Sequence, residues 1–457
     1  MNPRRQGLFL LALLLVLAGV LALAWWDARR LNPVIEHRPL TAWVADLTVA
    51  NRNLQDRAAG VLRTHSGAAL PGLIYRLEAQ PPRWRRWLAR VGSQFLPGRF
   101  PADNERATRS AVAVLLGSFG SAARDAVPAL LRAAGDEHWE VRENSAVALI
   151  RLGPDAAPVL ADILATNPER TLALRAAEIL ERMNSRAAVG LPELLVAFGR
   201  STSEVKIALA RVLGQEWAAG ESANTVLLEA AGAAEEAVAA AALGALAAHG
   251  PPDERTRTVL ERSLQSPSLL IQFRAATTLF KTTGETANAV TIIAEAVGDE
   301  ALRVEAVAAL GQIGAAARPA IPILIAALER ERNPRPLRMP PAAGLALSRI
   351  RGPALDEVLR LLESPEAAVR LNAVVTVSLF GPQANEAGSI VLTLLRDPSV
   401  DVRHAAALCL SSIVFHHREA IPVLQDILQD DDPFMVTWAG DALAKIDPTL
   451  VPGGHAR

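Results

Sequence analysis

Eight histidines, a single cysteine and a run of three aspartates are the side chains in this chain best suited to metal or nucleophilic chemistry. The histidines are His37, His65, His138, His249, His404, His416, His417 and His455. No two of them stand four residues apart on one helix face, and the adjacent His416 and His417 would project from different faces, so a His-x-x-x-His zinc site is not encoded. Solvated surface positions are the expected account of all eight. Cys409 lies in the apolar stretch from Ala405 to Leu410 and reads as a buried, inert thiol. Alone, it can form neither an internal disulfide nor a thiolate cluster. Asp430, Asp431 and Asp432 precede Pro433 and read as a turn, because calcium-loop ligands normally alternate with other residues. Gly311 to Gly314 lacks the Lys of a phosphate loop, and no Gly-x-Ser-x-Gly elbow is present. The expectation is a chain with no catalytic residue, no metal and no cofactor.

One segment combines charge with aromatic surface. Arg83, Trp84, Arg85, Arg86, Trp87 and Arg90 fall within Pro81 to Asn104, and on a helix Trp84, Trp87, Leu88, Val91 and Phe95 would share a stripe. Such a helix suits either of two roles. It could cap the first repeats by packing its stripe inward, or it could meet a membrane interface or a partner, with arginine toward lipid phosphate. Nucleic acid is not the expected partner, since net charge is −1 and no second basic stripe recurs.

The start of the chain carries a second lipid signal. Leu8 to Trp26 is a run of 19 residues without a charge; as a helix it would span roughly 28 Å, near the ~30 Å hydrocarbon core of a bilayer. Arg4 and Arg5 precede it, and Trp25 and Trp26 close it at interfacial depth. A cleaved signal peptide ending at Ala22 or Ala24 is the competing reading. The length of the run and the bulk of Trp25 favour a retained single-pass anchor, with the bulk of the chain on the extracytoplasmic side. No cysteine is nearby to accept a lipid.

The elements that must position everything else are repeats. Hydrophobic residues make up 51% of the chain and aromatics only 4%, which suits closely packed helices. Four stretches are alike: Glu140-Val-Arg-Glu-Asn-Ser-Ala-Val-Ala-Leu149, Leu302-Arg-Val-Glu-Ala-Val-Ala-Ala-Leu-Gly311, Val369-Arg-Leu-Asn-Ala-Val-Val-Thr-Val377 and Asp401-Val-Arg-His-Ala-Ala-Ala-Leu-Cys-Leu410. With the arginine as a ruler, twelve positions follow: Gln55, Arg109, Arg142, Ala173, Lys206, Glu236, Gln272, Arg303, Pro340, Arg370, Arg403 and Val436. After a first gap of 54 residues, the spacing stays between 30 and 37. Gly153, Gly314 and Gly381 follow as turns, and Pro71, Pro128, Pro158, Pro192, Pro322 and Pro422 are expected at or near the start of a second helix. Ala306, Ala373, Ala406 and Ala407 form a small-residue seam, where Leu would overpack at a cost of roughly 1–3 kcal/mol.

This pattern resembles the HEAT repeat, in the short form known as the phycobilisome-lyase-type HEAT-like repeat, over about residues 39–448. The resemblance implies an all-α, right-handed α-solenoid of about twelve helical hairpins behind the N-terminal helix. It further implies that Arg109, Arg142, Arg303, Arg370 and Arg403 serve structure, the arginine and a nearby acid such as Glu140, Glu366 or Asp401 bridging successive repeats. The organisation expected is an anchor over 1–30, a linker and first repeat over 31–80, the basic-aromatic insertion over 81–104, the repeat array over 105–448 and a tail over 449–457. No histidine is followed by glutamate, so the His-Glu pairs of the HEAT-type iron hydroxylase are missing. The function expected is a membrane-tethered, non-catalytic scaffold for an unidentified protein partner. A bilin-lyase-like or chaperone-like activity, or a structural envelope role through the Trp84/Trp87 helix, are its alternatives.

Overall fold

The computed structural model describes residues 30–78, 102–166, 169–332, 339–413 and 420–446. The apolar run Leu8–Trp26 and the insertion residues Arg83, Trp84, Arg85, Arg86, Trp87 and Arg90 lie outside them. The chain divides into two compact units, meeting at His249 and Gly250.

The first unit opens with an antiparallel pair, β1 (Val34–Ile35) and β2 (Arg38–Pro39), with Ile35 opposite Arg38. Glu36 and His37 turn it with φ of 45° and 62°, both positive as a two-residue hairpin turn requires. Helix α1 (Leu40–Asp46) follows and buries Trp43, whose indole N–H donates to Ile35 O at 3.0 Å. Arg38 lies over that ring at 4.3 Å and pairs with Asp46. This small cap was not legible in the residues before Leu40.

Among the described residues eleven more α-helices follow in this unit: α2 (Arg52–Thr64), α3 (Ser66–Glu78), α4 (Ala102–Leu116), α5 (Val127–Ala133), α6 (Trp139–Leu152), α7 (Ala157–Thr166), α8 (Arg170–Met183), α9 (Leu191–Arg200), α10 (Ser203–Leu213), α11 (Glu221–Ala231) and α12 (Glu236–Ala245). Successive even-numbered helices pack on one another from α4 to α12, and successive odd-numbered ones from α3 to α11. The unit is therefore a two-layer stack of hairpins, each too small to bury its own apolar face.

The second unit contains α13 (Glu254–Ser263), α14 (Leu269–Thr283), α15 (Ala287–Ala296), α16 (Arg303–Ile313), α17 (Ile321–Arg330), α18 (Ala342–Ile350), α19 (Pro353–Arg360), α20 (Ala367–Phe380), α21 (Gly388–Thr393), α22 (Val400–Ser412), α23 (Ile421–Ile427) and α24 (Pro433–Ile446). The even-numbered helices again pack in succession. Residues 303–330 form an apolar helical run long enough to cross a membrane, but Gly314, at φ +66°, folds it into the hairpin α16–α17.

The ruler residues fall on the even-numbered helices, and eight of the twelve occupy the fourth helical position. Arg109 sits a turn deeper, and Glu236 and Arg303 open their helices. Pro340 precedes α18 altogether, because Pro341 forms its N-cap and neither proline can donate inside a helix. Pro128, Pro158, Pro192, Pro322 and Pro422 each take the second position of an odd-numbered helix. Pro71 is the exception, lying inside α3. Its missing N–H costs that helix only one intrahelical bond.

Contacts between even-numbered helices depend on small residues. A Cβ on Gly117 would stand 2.7 Å from Ala148 Cα, one on Gly214 2.8 Å from Ala245 Cα, and one on Gly311 3.1 Å from Ala346 Cα. Ala306, Ala373, Ala406 and Ala407 are fully buried in the same layer. Gly153, Gly314 and Gly381 end their helices with φ between +48° and +66°. Asn184 does the same work at φ 53° and ψ −138°, backbone space that favours glycine.

Candidate functional site

The turns between repeats hold two buried carboxylates, Asp136 and Asp397, and a recurring side-chain contact. In six of them the ruler side chain reaches back six residues to a main-chain oxygen. Gln55 donates to Val49 O at 2.8 Å, Arg142 to Asp136 O at 2.8 Å, Gln272 to Ser266 O at 2.6 Å, Arg303 to Val297 O at 3.1 Å, Arg370 to Ser364 O at 2.8 Å and Arg403 to Asp397 O at 3.1 Å. These oxygens lie just past the ends of the preceding helices, where carbonyls lack intrahelical partners and a cation is favoured by the dipole. Gln serves as well as Arg, so the need is for a long donor.

Arg109 departs from this rule for a geometric reason. Six residues before it the chain is already inside α4, so its Nε donates instead to Leu77 O at 3.0 Å, near the end of α3. Its other nitrogen bonds the carboxylate of Asp136 in the next turn. Arg370 makes the matching contact in the second unit, with two bonds of 2.7 and 2.9 Å to Asp397. Both aspartate side chains are nearly inaccessible, at 2% and 3% exposure. Each also accepts an amide two residues ahead, from His138 at 3.0 Å and Ser399 at 2.8 Å. Burial alone would raise these carboxyls; for Asp136 the His138 amide and the Arg109 guanidinium outweigh it, and for Asp397 the Arg370 guanidinium and the Ser399 amide do, so both titrate below the ordinary range.

Of the five arginines singled out from sequence, then, Arg109 and Arg370 join successive repeats through an acid, while Arg142, Arg303 and Arg403 tie their own helix to the turn before it. Of the acids expected to bridge, Glu140 does so with Arg106 at 3.6 Å and Glu366 with Arg332 at 3.0 Å, while Asp401 makes no ion pair among the described residues. Asp136 and Asp397 were missed, although an Asp six residues before a ruler arginine was there to be read. The expectation of solvated histidines is corrected at three positions. His138 contacts Asp136 at 3.1 Å, His249 contacts Leu213 O at 2.7 Å and Asn224, and His404 contacts Asp432 at 2.6 Å while stacking at 4.5 Å on Phe434. His138 and His404 meet carboxylates, whereas His249 meets a main-chain oxygen at a helix end. Burial holds His249 below the usual imidazole value. Asp430 accepts the amide of Asp432, and Asp432 that of Phe434, so this acidic run is a turn. Among the described residues no group of His, Cys, Asp and Glu could hold a metal ion. Burial raises the Cys409 thiol to about 12, leaving it protonated at neutral pH.

Among the described residues this framework borders more than two cavities, of which two matter to the chemistry. One, of about 420 Å³, is bordered by Leu392, Leu410, Leu424, Trp438, Lys445 and Ile446 in the second unit. The other, of about 350 Å³, is polar and bordered by Gly135, Arg142, Glu143, Arg175, Glu178 and Arg182 in the first.

Stacked helical hairpins with capped turns define an all-α repeat protein. The family model described as HEAT repeats matches residues 100–181 and 389–452, and that described as PBS lyase HEAT-like repeat matches 302–330. The chain carries HEAT repeats in these segments. No curated protein matches it. Among solved structures, yeast importin-β (Kap95p) aligns at 14% identity and a TM-score of 0.45, over 89% of this chain and 55% of that one. The karyopherin Kap121p bound to the extreme C-terminus of the phosphatase Cdc14p aligns at 18% identity and 0.42, over 89% and 45%. Human deoxyhypusine hydroxylase in complex with glycerol aligns at 18% identity and 0.28, over 65% and 97%. The chain thus spans about half the length of the karyopherins it matches.

Proposed function

We propose that this chain is a membrane-tethered, non-catalytic scaffold that holds a protein partner on the exposed faces of its helices. The observation that carries the reading is the apolar side chains that helices of both layers leave in solvent, with Trp139 at 65% and Val304 at 72% on even-numbered helices. Tyr75 on α3 is 53% exposed, Val196 on α9 52% and Ile390 on α21 39%, with Pro192, Arg200 and Asp426 exposed alongside. Apolar groups interspersed with charge, on helices held rigid by a second layer, are what a partner surface requires. The HEAT repeats support this reading, since such stacks offer long surfaces and few deep pockets. The tether rests on Leu8–Trp26, whose length and flanking arginines suit a retained anchor with the repeats on the extracytoplasmic side.

Cross-linking in cells expressing the full chain, followed by purification from the membrane fraction, tests the proposal. A stoichiometric protein partner is expected, with capture reduced at least tenfold by the pair Tyr75→Ala and Val196→Asp. Recovery of the chain alone, or capture indifferent to both substitutions, would overturn the scaffold. Release of the intact chain by carbonate extraction would overturn the tether alone.

A further inference from the structure

Arginines that cross between even-numbered helices in this chain generally meet a carboxylate: Arg106 meets Glu140, Arg182 meets Glu143, Arg211 meets Glu181 and Arg274 meets Glu305. Arg175 on α8 does not. Its guanidinium lies against Gly135 in the turn before α6, so closely that a Cβ on Gly135 would collide with all three guanidinium atoms nearest it. It has no ion pair among the described residues, and it borders the 350 Å³ polar cleft. The carboxylates there do not pair with it. Asp136 turns its carboxylate to Arg109, Glu143 is taken by Arg182 at 2.7 Å, and Glu178, an exposed residue that also borders the cleft, is the one carboxylate there facing both Arg142 and Arg175 without an ion pair among the described residues. Arg142 spends one nitrogen on the oxygens of Asp136 and Glu137 and adds a third guanidinium to the wall.

We propose that this cleft binds an oxyanion through Arg175, with Arg142 and Arg182 beside it. A planar guanidinium offers parallel N–H donors matched to the oxygens of a phosphate or carboxylate. The backbone of Gly135 supplies the flat floor that any side chain would remove. The volume admits a small organic anion as well as an inorganic one. This inference is independent of the scaffold reading, for it concerns a ligand too small to be a protein partner.

Isothermal titration of the purified full chain in detergent with inorganic phosphate, and separately with citrate, tests it against sodium chloride of equal ionic strength. Saturable binding of at least one anion is expected, and which of the two binds more tightly identifies the source as phosphate or carboxylate. Arg175→Gln and Gly135→Ala should each weaken it at least tenfold, while Arg396→Ala, at a solvent-exposed pair in the other unit, should not change it. Circular dichroism checks that each variant folds; if one does not, the other provides the reading. The site is overturned if neither anion exceeds the sodium chloride control, or if folded Arg175→Gln or Gly135→Ala binds as the parent does.

Discussion

The turn at Asp136 in the first unit and the turn at Asp397 in the second are built to one plan. An arginine 27 residues earlier and an arginine six residues later converge on each aspartate, one on its carboxylate and the other on its carbonyl. They differ in how the first arginine is used. Arg109 divides its donors between Asp136 and Leu77 O, whereas Arg370 grips Asp397 with two bonds and holds the turn before its own helix with a third nitrogen. The cause is the long gap ahead of α4, which puts Arg109 a turn too deep to reach its own turn. The difference teaches that the acceptor in the turn is the fixed part of the design, and the donor adapts to what it can reach.

The strongest way to break this comparison is to remove the shared acceptor. Asp136→Ala and Asp397→Ala each leave a nearly buried guanidinium without its acid, and each should destabilise its unit by about 3–5 kcal/mol in urea unfolding. A neutral outcome at one site and a large one at the other would show that the two turns only look alike. Next in size is a change of donor. Arg370→Gln keeps a donor for Ser364 O but strands Asp397, and should cost about 2–3 kcal/mol. Arg142→Gln retains the bond to Asp136 O, as Gln55 and Gln272 do at their turns, loses only the longer one to Glu137 O, and should cost less than about 0.5 kcal/mol.

A pH titration sharpens the pairing further. Both carboxyls have folded values below their unfolded ones, so their stabilisation is complete above about pH 4 and is lost as pH falls through the depressed folded values. Asp136→Asn and Asp397→Asn should each flatten that acid limb of stability, read by circular dichroism, and the double variant should flatten it most. The smallest effect expected is a gain. Asn184→Gly relieves a side chain from glycine-favoured backbone and should raise stability by about 1 kcal/mol.

How much of this could be read in advance varied along the chain. The even-numbered helices were legible because a close helix–helix contact demands Ala or Gly at one fixed offset, and such residues mark the register at Ala306, Ala373 and Ala406. Helix ends at Gly153, Gly314 and Gly381 were legible for the same kind of reason, a backbone angle few residues accept. Asn184 hid the same turn because its side chain disguises that demand. The bridging acids were misread since Glu140 and Glu366 are adjacent in sequence to the ruler arginines, and sequence adjacency on a helix does not set which neighbour a long side chain reaches across the stack. The small cap around Trp43 left no trace, because a two-residue hairpin turned by Glu36 and His37 uses none of the usual turn residues. Arg175 carries no mark in the sequence, since its distinction lies in what faces it from another turn.

The six-residue reach of the ruler side chain also bears on how such a chain can grow or shrink. Because six of the turns are closed by a donor from the helix directly after them, those hairpins carry their own fastening. Excising residues 371–403 would splice Arg370 onto the segment that begins with His404, and leave Asp430 standing where Asp397 now does. An in-frame exchange at the codons of those six ruler residues would therefore keep the fastening of the turn it joins.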